Sequence, residues 1–184
     1  MRARRGLAGV LVAVSACLVA CSFDYTAGTA DALLAEVPDT VLHNVTHVVV
    51  RDGAIIAEIA STRLENFASD QRAVLTDVAY REFDREGNLT NHGRADRAII
   101  HTETDDAEVS GTIQLRSETE EATLSAGALV WDDDARTLTS PAQDAVELKR
   151  DDGSQVAGRG LEIFVRRRTV RFGGNVSGTI VAGE

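Results

Sequence analysis

Val109-Ser110-Gly111-Thr112-Ile113 recurs letter for letter as Val176-Ser177-Gly178-Thr179-Ile180, and the reading of this pentapeptide decides the fold. Branched apolar residues at its ends flank small and polar ones, a period of two that suits a half-buried strand and not a helix. Each copy follows the same grammar: a polar turn with a glycine (Gly87; Gly153), then a small-residue strand opening (Gly93-Arg94-Ala95; Gly158-Arg159-Gly160). A strand, a charged turn and the shared five residues come next, with a one-residue slip between the glycines. Repetition of a hairpin unit implies a layered β structure in which each unit stacks its apolar face on the next.

The same period extends outward from Val41, punctuated by Gly, Asp and Asn about every ten residues, which predicts an all-β sandwich, barrel or jellyroll. Candidate strands are Val45–Val50, Ala54–Ala60, Arg63–Phe67, Arg72–Phe83, Arg94–Thr102, Ala107–Arg116 and Ala122–Trp131. Arg136–Thr139, Ala145–Arg150, Gln155–Val165, Thr169–Phe172 and Val176–Val181 complete the set. Turns are expected at Arg51-Asp52-Gly53, Asp84–Asn88, Asp132–Asp134, Asp151-Asp152-Gly153 and Gly173-Gly174-Asn175, where Asp-Gly and Gly-Asn pairs supply positive φ for hairpins.

Apolar alternation places Val74, Val78, Tyr80, Ile100, Val109, Ile113, Leu115, Leu124, Leu129, Trp131, Val146, Leu148, Leu161, Ile163, Val170 and Phe172 on the inner face. Leu124 and Leu129 differ in parity, which a bulge near Gly127 would reconcile. Only 4% of the chain is aromatic, so the interior is expected to be aliphatic and rich in alanine.

Ahead of this domain, Met1-Arg2-Ala3-Arg4-Arg5 precedes an apolar run from Gly6 to Ala20, the pattern of a secretion signal. A membrane span needs about 20 apolar residues, and this run stops short. Leu18-Val19-Ala20-Cys21 resembles the lipobox of bacterial lipoproteins, which makes Cys21 the expected lipidation site and membrane anchor. Residues 1–20 then read as a lipoprotein signal peptide, 21–40 as lipidated N-terminus and tether, and 41–184 as the β domain.

The net charge is −10, and loss of Arg2, Arg4 and Arg5 leaves 16 basic residues against 29 acidic, a net −13. That balance argues against nucleic-acid binding and against adsorption of the domain to anionic membranes, leaving attachment to the lipid. Cys17 and Cys21 are the two cysteines, so no thiol remains in the β domain for a disulfide or a nucleophile.

Val74-Leu75-Thr76-Asp77-Val78-Ala79-Tyr80-Arg81-Glu82-Phe83-Asp84-Arg85-Glu86-Gly87-Asn88-Leu89, continued through Gly93-Arg94-Ala95-Asp96 to Gly111, resembles the central segment of LptC-type proteins. Leu129-Val130-Trp131-Asp132, Ser140-Pro141, Val146-Glu147-Leu148, Asp152-Gly153-Ser154 and Gly158-Arg159-Gly160-Leu161 extend the resemblance, which runs from about Val48 to Ile180. It implies an OstA-like fold, a twisted, V-shaped, two-layer antiparallel jellyroll whose interior holds acyl chains. It also implies partners: lipopolysaccharide or a related glycolipid, an inner-membrane ABC transporter of the LptBFG type, and an LptA-type periplasmic jellyroll joined by edge-strand pairing. The location it implies is the periplasm, with the inner membrane favoured for the anchor. Proteins of that type usually keep an uncleaved transmembrane helix, whereas this chain has a lipobox. A surface-exposed β-sandwich lipoprotein that binds proteins or scaffolds the envelope is the second reading.

No catalytic constellation, cofactor or metal is expected. His43 and His47, four apart and so on one side of a strand, fall short of the three or four ligands a metal site needs. Asp132-Asp133-Asp134 lacks the spaced ligands of a calcium loop, and no serine sits in Gly-x-Ser-x-Gly.

Overall fold

The computed structural model describes residues Val37 to Val181. Cys21, the signal segment and most of the tether lie outside the described residues. The chain forms one antiparallel sheet of ten strands: β1 (Thr40–Arg51), β2 (Ala54–Phe67), β3 (Arg72–Phe83), β4 (Leu89–His101), β5 (Asp106–Ser117), β6 (Ala122–Asp132), β7 (Thr137–Thr139), β8 (Ala145–Arg150), β9 (Gln155–Phe164) and β10 (Thr169–Thr179). Strands pair in chain order, with β7 and β8 both lying between β6 and β9, and the all-β, all-antiparallel architecture is that of a jellyroll. Tight turns make this order: Asp52 and Gly53 both take positive φ, 53° and 80°, as a two-residue hairpin of matching twist requires.

Two pairs of expected strands are each one strand. Ala54–Ala60 and Arg63–Phe67 are joined in β2, and Thr169–Phe172 and Val176–Val181 in β10, so Gly173-Gly174-Asn175 is a bulge inside a strand and not a turn. Alternation breaks at these points without pairing being lost, which in sequence looks like a strand end. The pentapeptides are likewise not equivalent. Both occupy the second strand of a hairpin, but Val109 faces Ala98 beyond the strand-opening glycine, whereas Ser177 and Gly178 face Ala157 and Val156 ahead of it.

The breaks line up. Asn44 (φ 52°), Thr62, Asp77 (φ 51°), Asp96, Gly111 (φ 96°) and Gly127 form a seam across β1 to β6, each opposite the next in the register. The gap between β7 and β8, Gly160 (φ 62°) and Asn175 (φ 43°) continue it through β10. Thr62 Oγ1 donates to Asp77 Oδ2 at 2.9 Å, and Asp96 Oδ2 accepts from the Thr112 N–H at 2.8 Å. Gly111 is required here: a Cβ would lie 2.4 Å from Asp96 Oδ2, in a backbone region that L side chains rarely adopt. Bulges of this kind re-aim side chains and turn a sheet through a corner.

The seam divides the sheet into two halves and reverses which parity points inward. On β3 the inner residues are Ala73 and Leu75 before it and Val78 after it; on β6 they are Leu124 and Ala126 before Gly127 and Leu129 after. The expected bulge near Gly127 is therefore present, and Leu124 and Leu129 share one core. Continuous apolar rows result. In one half Ala73, Ile100, Ala107, Trp131, Leu138, Ile163 and Val170 are successive neighbours across the strands. In the other the sequence is Ile59, Tyr80, Gly93, Leu115, Leu124, Leu148 and Val156.

Candidate functional site

Both hydrophobic clusters draw on both sides of the seam, so the inner faces of the halves share one interior. The larger cluster has Ala95, Ile113, Leu124, Leu129, Val146 and Leu161 at its centre, with Val109, Leu115, Leu138, Leu148, Ile163 and Phe172 against it. The smaller has Ala73, Leu75, Val78 and Ala98, with Ile59, Leu64, Ile100 and Val109 against it. Twelve of the sixteen residues assigned inward from the sequence thus belong to these clusters.

The other four differ. Val74 is buried, but its partners are Glu65 and Ile99, which places it on the face opposite Leu75; the seam at Asp77 reverses the alternation assumed from Val74 to Val78. Tyr80 lies opposite Ile59 on the inner side, half-buried. Trp131 follows Ala107 in the inner row, and its indole N–H donates to Asp133 Oδ1 at 3.2 Å. Val170 faces inward beside Ile163 yet is 44% exposed, because β10 is an edge with no strand beyond it. The reading from sequence missed Leu75 and Ala95, hidden by the same reversal of parity, as well as Ala98, Leu64 and Ile59. Asp77 was the available signal, an acid standing where alternation demands an apolar residue.

The interior is aliphatic, as the low aromatic content predicts. Four of the described aromatic rings sit at strand ends beneath guanidinium groups: Phe67 under Arg72 (4.0 Å), Phe83 under Arg81 (5.1 Å), Trp131 under Arg136 (4.9 Å) and Phe164 under Arg171 (5.4 Å). Phe172 instead lies over Gly158, where a Cβ would come within 2.5 Å of the ring. Burial and the neighbouring Glu82 carboxylate push the Tyr80 phenol up, so it is neutral at any physiological pH, and Arg136 partly offsets the shift. Ser61 Oγ, on the inner face beside Val45 and Val78, is buried with no hydrogen-bond partner among the described residues.

At the two ends the strands are open. β1 pairs only with β2 and β10 only with β9. Most of the exposed large apolar residues lie on or next to these two strands, among them Leu42, Val48 and Val50 on β1 and Val170, Val176 and Ile180 at the other end. Neither strand contains an acid or a proline, two of the devices that commonly protect an edge.

Opposite the seam, strand-end turns rim the mouth of the interior. The β9–β10 turn belongs to one half and the β5–β6 turn to the other, and the Arg168 guanidinium of the first is hydrogen-bonded to the Glu120 carboxylate of the second. That bond holds the Glu120 carboxyl below the usual carboxylate range. Behind it, Ser140 fastens the gap between β7 and β8: its N–H donates to the Leu161 carbonyl at 2.9 Å and its Oγ accepts from the Leu161 N–H at 2.8 Å.

His43 and His47 do not share a face, because Asn44 between them is part of the seam; His43 is opposite Arg63 and His47 opposite Ile59. Among the described residues no group of three or more His, Cys, Asp or Glu converges as a metal site would. A shallow groove of about 360 Å³ is lined by Gln114, Ser125, Glu147 and Ala157 of the outer face together with Ile113, Ala126 and Val146.

No curated protein matches the sequence. The family model described as lipopolysaccharide-assembly, LptC-related matches residues 8–181. With that match running through both halves of the folded sheet and both open edges, the chain belongs to the lipopolysaccharide-assembly, LptC-related family.

Proposed function

We propose that this protein is a periplasmic lipid-binding bridge, held at the membrane by a lipid on Cys21. It accepts lipopolysaccharide or a related glycolipid from an inner-membrane ABC transporter and passes it to an LptA-type jellyroll. The transporter supplies the energy; this chain supplies an apolar path and catalyses no reaction.

One observation carries the reading. An apolar inner row runs from the unpaired edge strand β1 through Leu42, Leu64, Leu75, Ala98, Val109 and Leu129 and, past Ser140, resumes at Leu161 and Phe172 on the unpaired edge strand β10, and both edges expose aliphatic side chains. Acyl chains suit an aliphatic lining, and an open strand offers backbone donors and acceptors to a neighbouring domain. In this reading the LptA-type partner pairs with β10, and β1 faces the transporter. Membership of the LptC-related family supports a role in lipopolysaccharide transport.

Ile113→Arg tests it. Ile113 is 5% exposed at the centre of the interior, and an unpaired guanidinium there excludes hydrocarbon. Native mass spectrometry of the full chain purified from its own envelope is expected to show bound glycolipid in the wild type and none in the variant. Ile113→Leu, which keeps the site apolar, is expected to retain it. A wild-type protein without bound lipid, or a variant that carries as much, contradicts the proposal.

A further inference from the structure

The β9–β10 hairpin, Gln155–Thr179, carries five arginines and one acid, a net +4 in a chain of net −10. Arg166, Arg167 and Arg168 are consecutive in its turn and fully at the surface, beside the exposed Val165. Among the described residues neither Arg166 nor Arg167 takes part in an ion pair, although 29 acids were available to the sequence. The third arginine is engaged, and its partner is informative: Glu120, 48 residues earlier, in the turn that closes the other half-sheet. The pair therefore spans the mouth. Directly inside it lie Trp131, Leu138, Ile163 and Val170, the inner row nearest this rim.

A solvated turn would explain arginines in any position; it does not explain one that reaches from one half-sheet to an acid of the other while two beside it stay unmatched. Guanidinium groups bind phosphate through the same forked geometry by which they bind carboxylate, and a phosphate monoester carries more charge than Glu120. We propose that Arg166, Arg167 and Arg168 form a phosphate site at the mouth, for the head group of an amphiphile whose chains enter the interior, and that Glu120 is its built-in competitor. The head-group phosphate takes Arg168 from Glu120, and that exchange frees the two rims as the chains enter. This rests on the lipid-bridge reading and specifies the ligand: a phosphorylated glycolipid, held by its phosphate at the C-terminal end of the cleft.

The sign of one substitution separates this from a structural tie. Dissociation constants of the full chain are measured by displacement of an apolar fluorescent dye, using phosphorylated lipid A, the same lipid A stripped of its phosphates, and inorganic phosphate alone. Glu120→Gln removes the competitor and is expected to tighten phosphorylated lipid A about threefold to fivefold, the range an exposed pair supports, and to leave the stripped lipid unchanged. Arg166→Gln with Arg167→Gln is expected to weaken the phosphorylated lipid roughly tenfold or more, again without effect on the stripped one. Weaker or unchanged binding by Glu120→Gln, an equal gain for the stripped lipid, or equal displacement by inorganic phosphate overturns the proposal. Stripped lipid that still binds the wild type keeps the bridge reading intact in each of those cases; failure of both lipids to bind sinks the two together.

Discussion

The N-terminal strands β1 to β4 and the C-terminal strands β5 to β10 share one sheet, one seam and one inner face, yet they close differently. In the C-terminal part Leu161 is 0% and Val146 2% exposed, Ser140 fastens the seam to Leu161, and Arg168 joins the rims through Glu120. In the N-terminal part the inner residues Ile59, Leu64 and Tyr80 are only half-buried and Leu42 is 46% exposed. No hydrogen bond or ion pair among the described residues joins its rims, and one of its buried polar atoms, Ser61 Oγ, lacks a partner. The same strand chemistry thus yields an end whose rims are tied together and one whose rims are not. The material along the inner rows also differs: Leu, Ile and Val dominate the larger cluster, while Ala73 and Ala98 are half of the buried centre of the smaller one.

The sharpest contrast is in truncation. Leu161→Ala removes a side chain with no exposure and is expected to cost about 3–5 kcal/mol in denaturant unfolding, whereas Leu42→Ala costs under about 1 kcal/mol. Similar losses at the two sites would erase the distinction between the ends.

The seam comes next. Gly111→Ala forces a Cβ into Asp96 at positive φ and is expected to cost about 2 kcal/mol or more, while Gly127→Ala, with no atom within 4 Å of the added Cβ, is expected to be close to neutral. Urea midpoints of the two variants check this, and equal effects would mean that the corner is not held at Gly111.

A smaller effect is expected at Ser61. Ser61→Ala deletes a buried hydroxyl that bonds to nothing described and is expected to leave stability unchanged or raise it by up to about 1 kcal/mol; a clear loss would show that the N-terminal interior is packed around that oxygen.

Acid is expected to loosen the C-terminal part first. Asp106, Glu120, Asp151 and Asp152, all in the C-terminal part, have carboxyls held below the ordinary range by N–H, hydroxyl or guanidinium donors, and Asp84 is their counterpart in the N-terminal part. A depressed folded-state pKa gives stability that is complete above the unfolded value, near pH 4, and is lost as pH falls through the folded one. Hydrogen exchange from pH 6 down to pH 3 is expected to show protection of β5 to β10 falling before that of β2 to β4. The reverse order would contradict it.

Much of this was legible in the sequence, for physical reasons that differ by region. Asp-Gly and Asp-x-Gly turns declare themselves, because positive φ at a hairpin selects those residues. Leu124 and Leu129 revealed the bulge at Gly127, because two strongly apolar residues of opposite parity need one. The seam elsewhere was hidden: Asn44 and Asp77 adopt positive φ with ordinary polar side chains, and at Thr62 the pairing continues where alternation stops. That is why β2 reads as two strands, Val74 as inward and His43 as the face-mate of His47. The mouth was illegible for another reason, since nothing local to Glu120 announces an arginine 48 residues later.

The central proposal is that the two half-sheets enclose a path for hydrocarbon chains. Photo-crosslinkers placed in cells at inner positions Ile59, Ile113, Leu148 and Ile163, and at the outer-face positions Gln114 and Val130, test it most directly. Glycolipid adducts are expected at the four inner positions and none at the two outer ones. Adducts on both faces alike, or on neither, would contradict it.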